Sequence, residues 1–139
     1  MQKYFGFITD DMVRSAVTLA GGGDRATIGS CGSFSAGLMA LSARFSPSAE
    51  EPTEKEIETF NKDRRYVDEF RDWFFSEFGS VVCADVQERQ LGRSFNLMDE
   101  KELLAFRDFP QVHEKCAQVY TKAAIRVAEI LAREENTQE

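Results

Sequence analysis

One histidine and three cysteines are scarce material for chemistry in a chain of 139 residues, and each scarcity excludes something. A single imidazole leaves few arrangements for a hydrolytic triad, and neither H-E-x-x-H nor G-x-S-x-G occurs. Cys31, Cys83 and Cys116 are too few, and too odd in number, for a disulfide framework, and their wide spacing matches no zinc finger. If they act together, folding must gather them. No run approaches the roughly 18 to 20 apolar residues that would cross a bilayer, so no membrane insertion is expected. The N-terminal MQKYFGFITDD lacks the basic region and apolar run of a signal peptide, which predicts a cytoplasmic protein. Basic residues are also short: the formal net charge is −7 and neither Lys nor Arg forms a run able to track phosphates, which argues against nucleic acid.

What is present fits one globular domain over residues 1–139, with 42% hydrophobic and 29% charged residues. Strict alternation is nearly absent, and apolar residues recur at three and four. That pattern predicts an all-α, single-domain bundle of four to six helices. A first helix of about three turns starts near Thr9, Asp10 and Asp11 and ends at Gly21-Gly22-Gly23. A second begins around Ser30 to Ser33 and carries Phe34, Leu38, Leu41 and Phe45 on one face. Thr53 and Glu56 form a capping-box pattern at the head of a long helix that ends at Gly79, with Ile57, Phe60, Val67, Phe70, Trp73, Phe74 and Phe78 inward. Ser80 is placed to cap a short helix through VVCADVQERQ, closed by Gly92. A turn or two of helix is expected over Asp99 to Phe106. The last helix, about 110–133, lines up Cys116, Val119, Tyr120, Ala123, Val127, Ile130 and Leu131, and the polar tail at 132–139 is expected to fray.

The stretch GGGDRATIGSCGSFSAG holds six of the nine glycines. Gly21, Gly23 and Ala26 satisfy G-x-G-x-x-A, but a dinucleotide turn should follow a strand, and here a helix precedes it. No Lys follows a glycine as a Walker A loop requires, so no nucleotide is expected. Three glycines serve a helix C-cap and a flexible connection. The stretch then delivers Cys31 to a helix start, where the positive end of the helix dipole favours a thiolate, and Cys83 repeats that placement. Cys116 lies on or beside the apolar stripe of the last helix, with His113 one turn earlier on the same face. The ordinary alternative for any one of them is an inert small hydrophobe. Arg25, close to Cys31, suits an anion or a thiolate, or is simply solvated.

These residues resemble a family named for its cysteine pattern, C-GCAxxG-C-C. "SCGSFSAGLMALSARF" after "GGGD" looks like its central motif, "FRDWFFSEFGSVVCADV" resembles its segment ending F-G-S-x-x-C, and "CAQVYTKAAIRVAEIL" resembles its closing helix. Ala36-Gly37 stand in swapped order, Ser33 replaces the family's Ala, and no cysteine precedes Cys31, where the family carries a fourth. The resemblance implies redox activity or metal binding, through an iron–sulfur cluster or another thiolate-bound metal held by Cys31, Cys83 and Cys116. Gly32 would allow close approach, and His113, a partner chain or solvent would complete the ligands. A redox partner protein and a homodimer covering an exposed face are further expectations. Two other functions stay open: thiol–disulfide or peroxide chemistry without metal, with Cys31 or Cys83 attacking, and a helical interaction module with structural cysteines. No paired carboxylates stand out as catalytic.

Overall fold

The computed structural model describes residues 2–137. Six α-helices follow one another without a β-strand among the described residues: α1 (Asp10–Ala16), α2 (Gly32–Phe45), α3 (Glu54–Phe78), α4 (Cys83–Leu91), α5 (Glu100–Asp108) and α6 (Val112–Thr137). The all-α single-domain expectation holds. Helix α1 is shorter than expected. Thr9 caps it by accepting from the Met12 N–H, but the chain tightens into a 3₁₀ turn over Val17–Leu19 before the glycines. The tail expected to fray is helical as far as Thr137, and residues 138 and 139 lie outside the described part.

Helices α2, α3 and α6 form the body. Helix α3 opens on the capping box that the sequence spells out, with Thr53 accepting from the Glu56 N–H and the Glu56 carboxylate accepting from the Thr53 N–H. It closes on Gly79 at φ 77°, a left-handed conformation that glycine adopts without steric cost. Its Phe70, Phe74 and Phe78 are buried, while Phe34 of α2 lies 5.8 Å from Phe70 and 5.1 Å from Phe74 between ring centroids. Such ring pairs add about 0.5 to 1.5 kcal/mol beyond their area. Gly37 makes the approach possible, since a Cβ there would land in the Phe70 ring. Helix α6 completes the core with Val119, Ala123, Val127, Ile130 and Leu131, and Arg44 of α2 reaches Glu134 at 2.7 Å. Two residues assigned inward turn out: Ile57 is 44% and Tyr120 59% exposed. Tyr66, not assigned inward, is buried against Phe45.

Helices α4 and α5 lie at one end, where Leu91, Phe95, Leu97 and Val112 build a second, smaller cluster with Leu103, Phe106, Phe109 and Cys116 packed on it. Two apolar clusters in one small domain leave a seam between them, and the cysteines lie there.

Candidate functional site

The glycine-rich loop and the segment before α4 are sewn together by backbone. The Cys31 N–H donates to the Val81 carbonyl at 2.6 Å, the Cys83 N–H to Gly29 at 2.9 Å and the Ala84 N–H to Thr27 at 3.0 Å, around an isolated antiparallel bridge between Ser30 and Val82. In such a bridge the side chains alternate sides, so Cys31 and Cys83 leave on the side opposite Ser30 and Val82. The glycines permit this stitching. Gly22, at φ 79°, packs its backbone where a Cβ would meet the Cys83 Cβ at 2.9 Å.

Cys31 is itself the N-cap residue of α2, with no side-chain capping bond, and Cys83 is the first residue of α4. Ser80 does not cap α4. Val82 holds the N-cap position, while the Ser80 hydroxyl accepts from the Val82 N–H and donates to Asp85. Cys116 comes in from α6, on the edge of the second cluster.

All three cysteines line one cavity of about 550 Å³. Gly32 and His113 line it as well, together with small residues from the end of α1 and the turn after it (Ala16, Ala20, Gly21) and of α2 (Ser33, Ala36). The remaining wall is mostly apolar, with Val86 of α4, Leu97, Leu103 and Phe106 from around α5, and Val119 of α6, and it also carries Arg25, Gln87, Gln90, Arg107 and Tyr120. Val86 and Val119 belong to the large core; Leu97, Leu103 and Phe106 belong to the second cluster. The cavity is therefore the seam between them. The three thiols are not linked to one another.

Placement at a helix start was expected to favour a thiolate at Cys83. Burial outweighs it: with the residue 8% exposed, loss of hydration pushes the thiol up to about 11. Gln87 works against that rise. Its Oε1 accepts from the buried Phe95 N–H at 3.0 Å, which fixes the orientation of the amide, and its Nε2 then faces the Cys83 Sγ at 3.4 Å. Burial also raises the Cys116 thiol, with the neighbouring Cys31 sulfur adding to the effect. Both are protonated thiols at neutral pH.

Three soft sulfur donors on one cavity wall suit an iron–sulfur or thiolate metal centre by type. Among the described residues no group of three or more His, Cys, Asp and Glu side chains is disposed to hold a metal ion, and two of the thiols would first have to give up protons that burial retains.

A scan against protein-family models matches residues 1–130 to a family described as "Putative redox-active protein (C_GCAxxG_C_C)". The chain belongs to the C_GCAxxG_C_C family. Comparison with curated proteins and with solved structures gave no match. The match spans the loop, all three cysteines and most of α6, so family membership and cavity refer to the same residues. No helix is long and apolar enough to cross a membrane among the described residues.

Gln87 and the α5 contributors, Leu103, Phe106 and Arg107, escaped the reading of the sequence. Gln87 had a signal: it lies four residues after Cys83 and one after Val86, on the face that carries both, where a polar side chain needs a partner. The α5 wall had none, because contacts from a short helix to a distant loop leave no period.

Proposed function

We propose that the cavity is the redox centre of this C_GCAxxG_C_C protein and that Cys31, Cys83 and Cys116 are its working groups. The observation that supports this is the convergence on one apolar cavity of three cysteines distant in sequence, in a chain whose family is described as redox-active. Cys31 is partly exposed and Cys83 is buried, which suits a division of labour between an attacking and a resolving sulfur. The Cys31 thiolate attacks a disulfide of a redox partner protein, forming a mixed disulfide and releasing one partner thiolate. A second cavity cysteine, losing its proton to water, then displaces the other partner sulfur. The protein ends with one disulfide and the partner with two thiols, a two-electron exchange. The resolving pair has to close from its resting position, since all three thiols are free.

A second reading keeps the same residues. The donor chemistry supports an iron–sulfur or other soft-metal centre on the three cysteines, with His113 as a fourth donor. That centre would supply one-electron chemistry, while the chain's residues would hold it and exclude water. It requires the sulfurs to gather and lose their protons.

Protein purified without oxygen separates the readings. Iron and acid-labile sulfide are measured with a visible spectrum on the native chain and on Cys31→Ser, Cys83→Ser and Cys116→Ser, and thiols are counted before and after a mild disulfide oxidant. Metal-free protein that reversibly loses two thiols supports dithiol exchange. Stoichiometric iron and sulfide, lost in each variant, supports the cluster. Metal-free protein whose thiols neither react nor cycle overturns the proposal.

A further inference from the structure

In a chain with 24 acidic and 17 basic residues, an arbitrary stretch of wall should carry carboxylates. This cavity has none: its ionisable side chains besides the thiols are Arg25, Arg107, His113 and Tyr120. Arg25 comes from the glycine-rich loop and Arg107 from the last turn of α5, so two unrelated segments bring positive charge to one place. Neither arginine has an ion-pair partner among the described residues. Both are exposed, while the cavity's wall also includes buried apolar Val86, Leu97 and Val119.

Apolar walls reward an apolar body by roughly 25 cal/mol per Å² removed from water. Unpaired guanidiniums at the edge of a low-dielectric hollow reward a negative end, and a wall without carboxylates imposes no repulsion. We infer that this cavity binds a small organic anion with an apolar body, its carboxylate, sulfonate or phosphate held by Arg25 and Arg107 and its body lying against the cysteines. The volume of about 550 Å³ is that of an ordinary small-molecule site. The inference rests on the reading of the cavity as the working centre and adds the class of molecule that centre receives.

The test compares two fluorescent probes with a similar aromatic body: 8-anilinonaphthalene-1-sulfonate, an anion, and N-phenyl-1-naphthylamine, which is neutral. The native chain should bind both saturably, one per protein. Replacing both arginines (Arg25→Gln with Arg107→Gln) should weaken the anion about tenfold or more and leave the neutral probe within about twofold. Ala36→Phe, which takes up part of the hollow, should weaken binding of both. Binding that is not saturable, that keeps its full affinity in a folded Ala36→Phe protein, or that is indifferent to the arginines overturns the inference. If Ala36→Phe does not fold, the native chain decides the matter. Saturating decanoate should slow alkylation of Cys31 by iodoacetamide about fivefold or more, and an unchanged rate overturns it. Thiols that cycle in a chain that binds no anion would defeat this inference alone; anion binding in a chain whose thiols do not cycle would defeat the redox reading alone.

Discussion

Residues 36 and 37 are neighbours on α2 and belong to opposite worlds. Gly37 is buried so tightly against α3 that a single added carbon would enter the Phe70 ring, whereas Ala36 lines the open cavity. The contrast extends along the helix. Phe34 and Phe45 stack with aromatic rings of α3 and Leu41 is buried in the same core, while Ser33 and Ala36 line the hollow; Gly32, at the head of the helix, is instead packed against the backbone of Leu19 and Ala20. A dense core and a hollow are thus made by one helix, from large side chains on one side and small ones on the other. The packed side should respond to loss of volume, and the hollow side should tolerate gain of volume and respond to charge and protonation.

The largest expected effect is on the packed side. Phe70 is fully buried and touches Phe34, Trp73 and Phe74 by ring contacts. Phe70→Ala should cost about 3 to 5 kcal/mol in urea unfolding. A loss under about 1 kcal/mol would mean that the aromatic side is not the core described.

Next comes the buried thiol. Below pH 9 Cys83 is protonated in the folded and unfolded chains and contributes no pH dependence. Between pH 9 and about 11 the unfolded chain has released a proton that the folded chain keeps, so the unfolded state binds fewer protons and stability falls as pH rises. The loss should approach about 3 kcal/mol once the folded thiol also ionises, with Cys116 adding in the same direction. The measurement is the difference in unfolding free energy between native chain and Cys83→Ala from pH 8.5 to 11, since lysines and tyrosines titrate in both. A flat difference would place water against Cys83 and remove the dry floor of the cavity.

The comparison also shows what could be read in advance. The packed side was legible because periodicity and capping are local: Thr53 with Glu56, Gly79, and the Phe70, Phe74, Phe78 spacing all lie within one helix. The meeting of Cys31 with Cys83 depends on three backbone bonds between segments some fifty residues apart, which leave no local trace. Only the ordered resemblance to the C_GCAxxG_C_C family pointed to the three cysteines as a set. Ionisation at Cys83 went the other way from the helix-start argument because burial, a tertiary property, outweighs a helix of nine residues. Arg25 was legible as a cation near Cys31, but its sharing a cavity with Arg107 was not, since the two segments meet only in the fold.

Adjacent positions on α2 then give a sharper version of the contrast. Gly37→Ala should destabilise by about 1 to 3 kcal/mol, because Phe70 cannot retreat within a packed aromatic layer. Ala36→Leu adds more atoms one residue away and should change stability by less than about 1 kcal/mol, since its side chain enters free volume. Equal costs at the two positions would break the division of the helix into a packed and an open side.

Gln87→Leu should have a modest effect on stability and the most specific one on chemistry. The leucine keeps the volume and the apolar wall but strands the buried Phe95 N–H, whose acceptor is the Gln87 Oε1. That costs about 1 to 2 kcal/mol. It also removes the one donor that opposes burial at Cys83, so the thiol should titrate higher still, seen as slower alkylation of Cys83 at a fixed alkaline pH and a shifted thiolate absorbance curve. Gln87→Glu discriminates further, because it can still accept from Phe95 but presents no donor to the sulfur and brings a negative charge to it. If the leucine and glutamate variants leave the Cys83 titration where it was, Gln87 only holds the loop, and the tuning of the thiol must come from elsewhere in the cavity wall.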